Sequence, residues 1–363
     1  MNCLLIGYMH GQGGIQSHTH FLATGLTEHG HSVLVLTPEP FAGHESVDHT
    51  GRAYTLQTYK GIRDIASARM ENGPIDVAIV CGTGWAAMVG VRLNRSVRKR
   101  VFFEVMSGER IGKLDPRSIV HTGFDAIVGQ AKPVEACFKK AFNWSGPSIT
   151  IPALPEPLER AITIPERKQS DLNHVGALRL AYFGRLAPHK GVDILVKNWG
   201  MLSEFGASLD IWGTGEQQEY LSQYIQDKGL SDKIKLRGRY PEKADYIALL
   251  QSYDLKLLPT IGAEGAPLVL LEAMACGLPF IANGVGGIPD YDNPDVRITS
   301  GNIEEFFPLL RDWAGQHEKR NVDPLRLQRH YQNMYAFEVL VDRWERFLTA
   351  LVAEKSLPAP NGS

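Results

Sequence analysis

The stretch GAEGAPLVLLEAMACGLPFIANGVGG, residues 262–287, reads as a loop, a helix, a glycine turn and a buried strand. We expect the helix to begin near Pro267, because proline lacks an amide hydrogen that the first helical turn would leave unpaired anyway. The turn is predicted at Gly277, and the strand follows it within LPFIA, residues 278–282. A helix that leads through a tight turn into a buried strand is typical of an α/β fold.

Short apolar runs and helical segments alternate through most of the 363 residues. The runs are apolar throughout, which is typical of strands covered on both faces of a parallel sheet. This alternation predicts parallel, doubly wound sheets. The predicted strands occupy residues 2–6, 32–37, 76–81, 100–105, 125–129 and 148–152, and then 178–184, 208–213, 233–238, 254–259, 278–282 and 296–300. The predicted helices include 15–29, 191–204, 216–228, 241–253 and 265–276.

The alternation breaks between Pro152 and Ala177, where the sequence is rich in proline and charge. Such a composition is typical of an interdomain linker. We therefore predict two Rossmann-like domains that face a cleft, followed by an amphipathic helix that packs across both. The predicted division is 1–155 for the first domain, 156–176 for the linker, 177–330 for the second domain, 331–356 for the crossing helix and 357–363 for a disordered tail.

The composition excludes several classes of protein. With 44% hydrophobic and 21% charged residues, the chain is globular rather than fibrous or wholly disordered. A net charge of −2 provides no overall attraction to nucleic acid. The sequence shows neither a signal peptide nor an apolar stretch that could cross a membrane, so we expect a soluble, cytoplasmic protein. The cysteines are expected to be buried thiols of a reducing compartment: Cys3, Cys81, Cys137 and Cys276.

Two glutamates mark the predicted helix of the opening stretch. Glu264 lies just before the helix and Glu272 about two turns into it. Carboxylates accept hydrogen bonds from vicinal hydroxyls, and the first turn around Ala266, Pro267 and Leu268 is suited to a phosphate. An incidental surface glutamate is the alternative, but Glu272 falls within LVLLEAMA, where an unpaired charge would be costly. The pattern favours a site for a phosphate with a sugar or ribose.

Two cations follow the first strand of the second domain, in YFGRLAPHKG. Arg185 and Lys190 lie in the loop at the carboxyl end of that strand, which is the usual ligand edge of an open α/β sheet. A guanidinium fork and an ammonium near a helix N-terminus suit a diphosphate. Loop cations are commonly just solvated, so the motif gains its weight from the neighbouring glutamates.

Two further turns end strands of the second domain. Gly213 and Gly215 in WGTGE allow close backbone approach, either to a nucleotide or simply within a tight turn. Arg239 in RGRY follows the next strand, where backbone groups could contact the edge of a base.

A glycine-rich segment, GQGGIQSHTH, follows the first predicted strand. It lacks the G-x-G-x-x-G dinucleotide fingerprint, but Gly13 and Gly14 would let the backbone approach a phosphate or sugar. His10, His18 and His20 have no carboxylate partners in the pattern, so we predict no metal site. His18 and His20 are expected to serve packing or capping.

Together these motifs resemble those of glycosyltransferase family 4, retaining enzymes with the GT-B fold. The resemblance covers nearly the whole chain, through FGR…KG, WGTGE, LRGRY and EGAPLVLLEAMACGLPFIA, and more loosely through GLTEHGHSV. It implies transfer of a sugar from a nucleoside-diphosphate sugar to an acceptor hydroxyl, in glycan, glycolipid or glycoconjugate biosynthesis. The acceptor would be a sugar, a lipid-linked group or a small molecule.

The resemblance also implies roles by position. Glu264 would contact the hydroxyls of the donor sugar, and Glu272 the ribose. Arg185 and Lys190 would hold the diphosphate and stabilise the charge that develops on the leaving group, the largest expected catalytic contribution. Neither a metal nor a cofactor is then implied, since these cations and the helix amides compensate the diphosphate.

The acceptor side is less well defined by the resemblance. Gly13 and Gly14 would approach the donor phosphate from the first domain. Many relatives carry a histidine-containing motif after the fourth strand, where this chain reads FFEVMSGER. The candidates for contact with the acceptor are therefore left open among Glu104, Ser107, Glu109 and His121.

Two other functions fit parts of the pattern. A sugar-nucleotide epimerase would use the same architecture with further acid–base carboxylates, and a non-catalytic partner of another transferase would only bind the nucleotide sugar. A basic cluster in VRLNRSVRKR would allow peripheral contact with the inner face of an anionic membrane, although such a cluster before a strand is commonly just solvated. The cluster comprises Arg92, Arg95, Arg98, Lys99 and Arg100.

Overall fold

The computed structural model describes residues 1–10, 13–39, 53–82, 84–172, 177–315 and 322–355. The chain forms two compact units, the first from Met1–Glu156 with Phe337–Ser363 and the second from Pro157–Ala336. The chain therefore leaves its first unit once and returns to it near the end.

The first unit is built on a seven-stranded parallel sheet. Its strands are β1 (Asn2–Gly7), β2 (Ser32–Pro38), β3 (Thr55–Tyr59), β4 (Ile75–Cys81), β5 (Val97–Glu104), β6 (Ala126–Gly129) and β7 (Ser148–Thr150). They lie in the order β3-β2-β1-β4-β5-β6-β7, so the chain winds outward from β1 in both directions. This is the doubly wound arrangement that the sequence predicts.

Helices cover this sheet. They are α1 (Gly14–Glu28), α2 (Ile62–Ser67), α3 (Trp85–Leu93) and α4 (Lys132–Phe142). On one face, apolar side chains of the central strands form a core with α2, α3 and α4, including Leu4, Ala78, Ile65, Met88 and Phe138. Strand β3 was not predicted, because TLQTY is a half-exposed edge strand without an apolar run.

The second unit carries a six-stranded parallel sheet in the order β10-β9-β8-β11-β12-β13. Its strands are β8 (Arg179–Phe183), β9 (Ser208–Trp212), β10 (Ile234–Gly238), β11 (Leu255–Leu258), β12 (Phe280–Ala282) and β13 (Arg297–Ile298). Its helices are α5 (Leu158–Ala161), α6 (Val192–Lys197), α7 (Gln218–Asp227), α8 (Lys243–Gln251), α9 (Leu268–Ala275), α10 (Phe306–Gly315) and α11 (Pro324–Met334). The helix predicted over 191–204 ends early, at Lys197, and a 3-10 segment follows over Trp199–Phe205.

The proline-rich segment after Pro152 contributes to the second unit. Leu158 of α5 is buried, and the buried Arg167 donates to the carbonyl oxygen of Tyr253. The amide of Arg167 also donates to the side chain of Gln328, at 2.9 Å. Residues 173–176 lie outside the described part of the chain.

The last helix, α12 (Phe337–Val352), belongs to the first unit. Its apolar stripe is buried as its helical spacing predicts, with Trp344 against Phe103 at 5.6 Å between ring centroids. A Cβ at Gly25 of α1 would lie 2.3 Å from Val341, so glycine allows the two helices to approach closely. The tail predicted over 357–363 lies outside the described residues.

Candidate functional site

The loops that follow β8, β9 and β10 are joined at the carboxyl edge of the second unit's sheet. The Gly184 amide donates to the Trp212 carbonyl at 3.1 Å, and the Gly213 amide to the Gly238 carbonyl at 2.7 Å. Arg239, exposed, directly follows the last of these glycines. Because parallel strands end at a common edge, these bonds hold three loops where an α/β sheet binds ligands.

The glycines of WGTGE are explained by this loop packing. Gly213 has a φ of +125°, and a Cβ there would lie 1.9 Å from the carbonyl oxygen of Gly184. A Cβ at Gly215 would lie 2.5 Å from the carbonyl oxygen of Leu186. The close packing of these two loops requires glycine at both positions. The tight turn, which the sequence offered as an alternative to nucleotide contact, therefore explains both glycines without a ligand.

The structure brings together two of the predicted catalytic residues. The Ile261 and Gly262 amides both donate to the His189 carbonyl, at 2.9 and 3.1 Å, which ties the loop after β11 to the loop after β8. As a result, the Lys190 ammonium donates to a carboxylate oxygen of Glu264. Their side chains are only 19% and 12% exposed, so this ion pair is largely removed from water.

A third loop supports Glu264 from its backbone side. The Gly287 amide donates to the Gly265 carbonyl at 2.7 Å. Gly286 has a φ of +60°, and a Cβ there would lie 1.9 Å from the Glu264 carbonyl oxygen. This role of the loop after β12 was not predicted, although the VGG text is the signal that could have indicated it.

Arg185 shares the loop of Lys190 but has a different partner. Its side chain is 69% exposed and pairs with Glu216 at 3.2 Å. Its backbone carbonyl accepts a hydrogen bond from the Tyr182 hydroxyl at 2.9 Å. The guanidinium is therefore held at the surface by an exposed pair, which contributes little energy and exchanges easily.

Helix α9 begins at Leu268, directly after Pro267, as the sequence predicts. Among the described residues no side chain caps this end, and Ala266 before it is buried. The amides of the first turn and the helix dipole therefore make this end suited to an anion.

Glu272 lies farther along α9 and is only partly exposed. Its carboxylate accepts a hydrogen bond from the Tyr246 hydroxyl at 2.7 Å. Burial raises the pKa of Glu272, whereas the charge of Lys256 lowers it. Sequence reasoning missed Lys256 and Tyr246; a lysine inside the apolar run DLKLLP was the available signal.

The candidate acceptor residues of the first unit have dissimilar surroundings. Glu104 is fully buried and pairs with Arg117 at 2.9 Å, which favours a structural role over contact with an acceptor. Ser107 is nearly buried, with its hydroxyl 3.5 Å from Glu109, and His121 is exposed. Within the described ranges, no hydrogen bond or ion pair links Glu104 or His121 to another of the four candidates.

The glycine-rich segment of the first unit leads into α1. Gly13 caps the helix, which begins at Gly14, whereas residues 11–12 lie outside the described chain. His18 is buried, stacks on Phe103 at 4.1 Å and accepts from the Leu154 amide at 3.1 Å. Burial lowers the pKa of His18 to about 3. The predicted packing role of His18 is therefore confirmed.

The basic cluster is partly engaged in internal contacts. Arg98 pairs with Asp76 at 3.3 Å, and Lys99 pairs with Glu354 at 3.0 Å. Arg100 donates to the backbone carbonyls of Val91, in α3, and of Asn94, which follows that helix. Arg92 and Arg95 are exposed.

The four cysteines are free thiols, three of them buried and Cys137 half-buried. No helix in the described part of the chain has the length and apolar character needed to cross a membrane.

Comparisons with known proteins extend these observations. Residues 164–321 match the family model of the group 1 glycosyl transferases. An uncharacterised glycosyltransferase of Haemophilus influenzae is 25% identical over 268 residues, which cover 72% of this chain and 71% of the relative. A D-inositol 3-phosphate glycosyltransferase of Paenarthrobacter aurescens is 24% identical over 76% of this chain and 77% of the relative.

Among solved structures, HepE of Anabaena in complex with UDP has the same fold. Its TM-score is 0.74 at 15% identity, and the match covers 96% of this chain and 100% of that one. The predicted α/β fold of the GT-B class, with two Rossmann-like sheets, is confirmed.

Proposed function

We propose that the chain is a group 1 glycosyl transferase, which transfers a sugar from a nucleoside-diphosphate sugar to an acceptor hydroxyl with retention of configuration. The observation that carries the proposal is the buried pair of Lys190 and Glu264 beside the loop that leads into α9. An incoming diphosphate competes for the ammonium and frees the carboxylate for the hydroxyls of the donor sugar. The pair thus holds both groups in position before the donor binds.

Three sets of groups would stabilise the charge that develops on the leaving diphosphate. Lys190 supplies an ammonium, Arg185 a guanidinium whose exposed pair with Glu216 opens at little cost, and α9 its N-terminal amides at Leu268. Such preorganised groups are usually the largest contribution to catalysis of this kind. Because they provide the compensation, we expect transfer to proceed without a metal or other cofactor.

The remaining donor contacts follow from the same loops. Glu272 would accept from the ribose hydroxyls, and the backbone around Arg239 would contact the base. Transfer would take place on one face of the sugar, with the leaving phosphate taking the proton of the acceptor hydroxyl, so that no side chain need act as a nucleophile.

The acceptor side would lie at an anionic membrane. Exposed cations of the first unit, Arg92 and Arg95, share α3 and its following turn with exposed Trp85 and Leu93, which are 46% and 57% accessible. A mixed cationic and apolar surface suits the headgroup region of anionic lipids. Sedimentation with vesicles that contain phosphatidylglycerol tests the proposed membrane contact. The double variant Arg92→Ala, Arg95→Ala should bind these vesicles more weakly than the wild type. Equal binding by the two proteins would contradict the proposed contact. The acceptor would then be a lipid-linked group of glycan or glycolipid biosynthesis.

A thermal-shift screen across nucleoside diphosphates and their sugars tests the donor assignment, because a bound ligand raises the apparent stability. The best donor is then used to measure release of nucleoside diphosphate and transfer, with and without a chelator. Turnover should be unchanged by the chelator and should fall by about 100-fold or more in Glu264→Gln. Lys235→Met, which removes an exposed lysine of β10, serves as the matched control.

Each alternative gives a different result in the same assay. Unchanged turnover in Glu264→Gln would contradict its catalytic role, and retained affinity in a double Arg185→Ala, Lys190→Ala variant would contradict the diphosphate contacts. Binding without turnover would favour a non-catalytic partner. An epimeric nucleotide sugar as product would favour an epimerase.

A further inference from the structure

The first unit carries a group of metal-ligating side chains where the end of α1 meets α12. His29 directly follows α1, and its Nδ1 lies 2.6 Å from a carboxylate oxygen of Glu345 on α12. Asp342 lies three residues before Glu345, so the two carboxylates are neighbours on that helix. One ligand atom from each of the three residues falls within 4.8 Å of the other two. The three side chains are therefore close enough together to share one ion.

The packing of the two helices holds this group in place. A Cβ at Gly25 of α1 would lie 2.3 Å from Val341 of α12, so the helices are in close contact there. His29 comes four residues after Gly25, and Glu345 comes four residues after Val341. Because residues four apart share one face of a helix, the pair of His29 and Glu345 continues the same contact. Ligands carried by packed helices are placed more precisely than ligands on loops.

A second histidine points to the same carboxylate. The side chain of His31 is only 10% exposed, and its Nε2 lies 3.3 Å from the other carboxylate oxygen of Glu345. This nitrogen is buried and makes no hydrogen bond with a described residue, whereas the Nδ1 of the same ring lies 3.1 Å from the amino group of Met1. A carboxylate that ligates a metal is ordinarily hydrogen-bonded in turn. His31 is therefore placed to hold Glu345 once that carboxylate turns toward an ion.

Asp342 distinguishes this group from an ordinary set of ion pairs. Its carboxylate is exposed and has neither a hydrogen bond nor an ion pair with another described residue. Glu338, one turn earlier on α12, lies 3.8 Å from the Nε2 of His29. The pairs of His29 thus leave Asp342 without a cation, and an ion bound between Asp342 and Glu345 would supply one.

The ligand types indicate the kind of ion. An imidazole nitrogen with two carboxylate oxygens suits zinc and similar divalent transition metals, whereas Mg²⁺ and Ca²⁺ prefer oxygen ligands alone. Two ligand atoms on a tetrahedral zinc ion lie about 3.3 Å apart. The separations in this group run from 2.6 Å to no more than 4.8 Å, on either side of that value. Small rotations of partly exposed side chains would bring the ligand atoms to it.

We propose that His29, Asp342 and Glu345 bind a divalent transition-metal ion of the zinc type, which fastens α12 to the end of α1. The ion would stabilise the first unit and take no part in sugar transfer, so the inference does not depend on the proposed function. Because the hydrogen bond between His29 and Glu345 closes the group when no ion is bound, we expect the unit to fold without the ion. The sequence did not predict this site, since 316 residues separate His29 from Glu345.

Zinc binding by the full chain, without a histidine tag, tests the proposal. The protein is treated with a chelator, dialysed and titrated with ZnCl₂ by calorimetry, as the wild type and as Asp342→Asn. The wild type should bind zinc, and Asp342→Asn should bind it about tenfold more weakly or worse, since the loss of a partner behind a ligand already costs about 10-fold to 100-fold. Asp342 has no partner in the described part of the chain, so this variant should keep the melting temperature of the wild type when zinc is absent.

Two further variants accompany this measurement. Glu345→Gln removes a second ligand and should weaken zinc binding by a similar factor. Asp245→Asn, on an exposed position of α8, is the matched control and should bind zinc as the wild type does. Zinc at about 100 times its dissociation constant should raise the melting temperature of the wild type by about 5 °C or more, and that of Asp342→Asn by about half as much or less.

Three outcomes would overturn the proposal. The first is a wild type that binds no zinc. The second is a zinc affinity that stays equal in the wild type, Asp342→Asn and Glu345→Gln. The third is an equal loss of affinity in Asp245→Asn, because the effect would then be one of surface charge. A preference for Mg²⁺ over Zn²⁺ at equal concentration would contradict the assigned class of ion.

Discussion

Each unit buries a cluster of charged residues, and the two clusters differ in how completely they are paired. In the first unit, the fully buried Arg117 donates to Glu104 at 2.9 Å and to Asp115 at 2.7 Å, and also to a backbone carbonyl. In the second, the fully buried Lys256 donates to one described carbonyl, and the carboxylate with the largest influence on its pKa is that of Glu272. The first cluster is closed within itself, whereas the second is open, because its ammonium has one hydrogen-bond acceptor among the described residues.

The comparison separates charges that build the fold from charges that serve a site. Burying an ion is costly, and the cost is offset only when its hydrogen-bonding capacity is satisfied. A cluster with satisfied partners is consistent with a structural role, as for Glu104. A cluster with incomplete pairing beside a ligand edge is typical of a functional site.

The largest effect is expected from breaking the closed cluster. Arg117→Met should lower the free energy of unfolding of the first unit by about 3–5 kcal/mol, because it leaves two carboxylates buried without a cation. Urea unfolding followed by tryptophan fluorescence measures the change. Arg98→Met, which removes an exposed pair with Asp76, should cost less than about 1 kcal/mol. Equal costs for the two variants would contradict the distinction.

Breaking the open cluster should have the opposite sign. Lys256→Met should raise the free energy of unfolding by about 1–3 kcal/mol at pH 6, since a partly paired buried charge is replaced by an apolar side chain. The folded pKa of about 7 lies below the ordinary value of 10.5, so the unfolded state binds more protons between these values. The free energy of unfolding of the wild type therefore increases relative to that of the variant as the pH rises from 7 to 10.5.

The same denaturation series at pH 6 and pH 9 checks this expectation. A lower stability of Lys256→Met at both values would mean that the lysine serves the fold, as Arg117 does, and would remove the contrast between the two clusters.

The smallest effect concerns a buried group that is neutral in the first unit. His18 has a pKa of about 3 when folded, below its ordinary value of 6.5. Its contribution to stability is therefore complete above pH 6.5 and is lost as the pH falls toward 3, by about 1.4 kcal/mol between pH 7.5 and 5.5. Urea unfolding at the two pH values measures the difference, and His18→Gln should show a pH dependence smaller by that amount. An identical dependence in the variant would mean that His18 titrates normally.

Much of the fold was predictable because both sheets are covered on two faces and their strands are continuous apolar runs. Strand β3 escaped prediction because an edge strand needs no such run, and TLQTY is half-exposed. The helix of the opening stretch was expected to begin near Pro267 and begins at Leu268, although the predicted range of 265–276 extends beyond it at both ends; Pro267 and Gly277 are the local signals. Local signals thus sufficed wherever an element is defined by its own residues.

The candidate site was predictable in its residue types and less so in its partners. Lys190 and Glu264 were both predicted, but their direct contact depends on the His189 carbonyl, which joins two loops far apart in the sequence. Glu104 was one of four open candidates for contact with an acceptor, and the structure buries it against Arg117. A carboxylate in a sequence carries no sign of which cation it will meet.

The sequence by itself determined the alternation of strands and helices, the α/β class and the motif residues that surround α9. Only the tertiary structure decided which charges face each other: Lys190 with Glu264, Arg117 with Glu104, and Lys256 beneath the first turn of α9. The physical reason is that apolar periodicity and turn chemistry act over a few residues, whereas the energy of a buried charge depends on partners that the fold brings from distant positions.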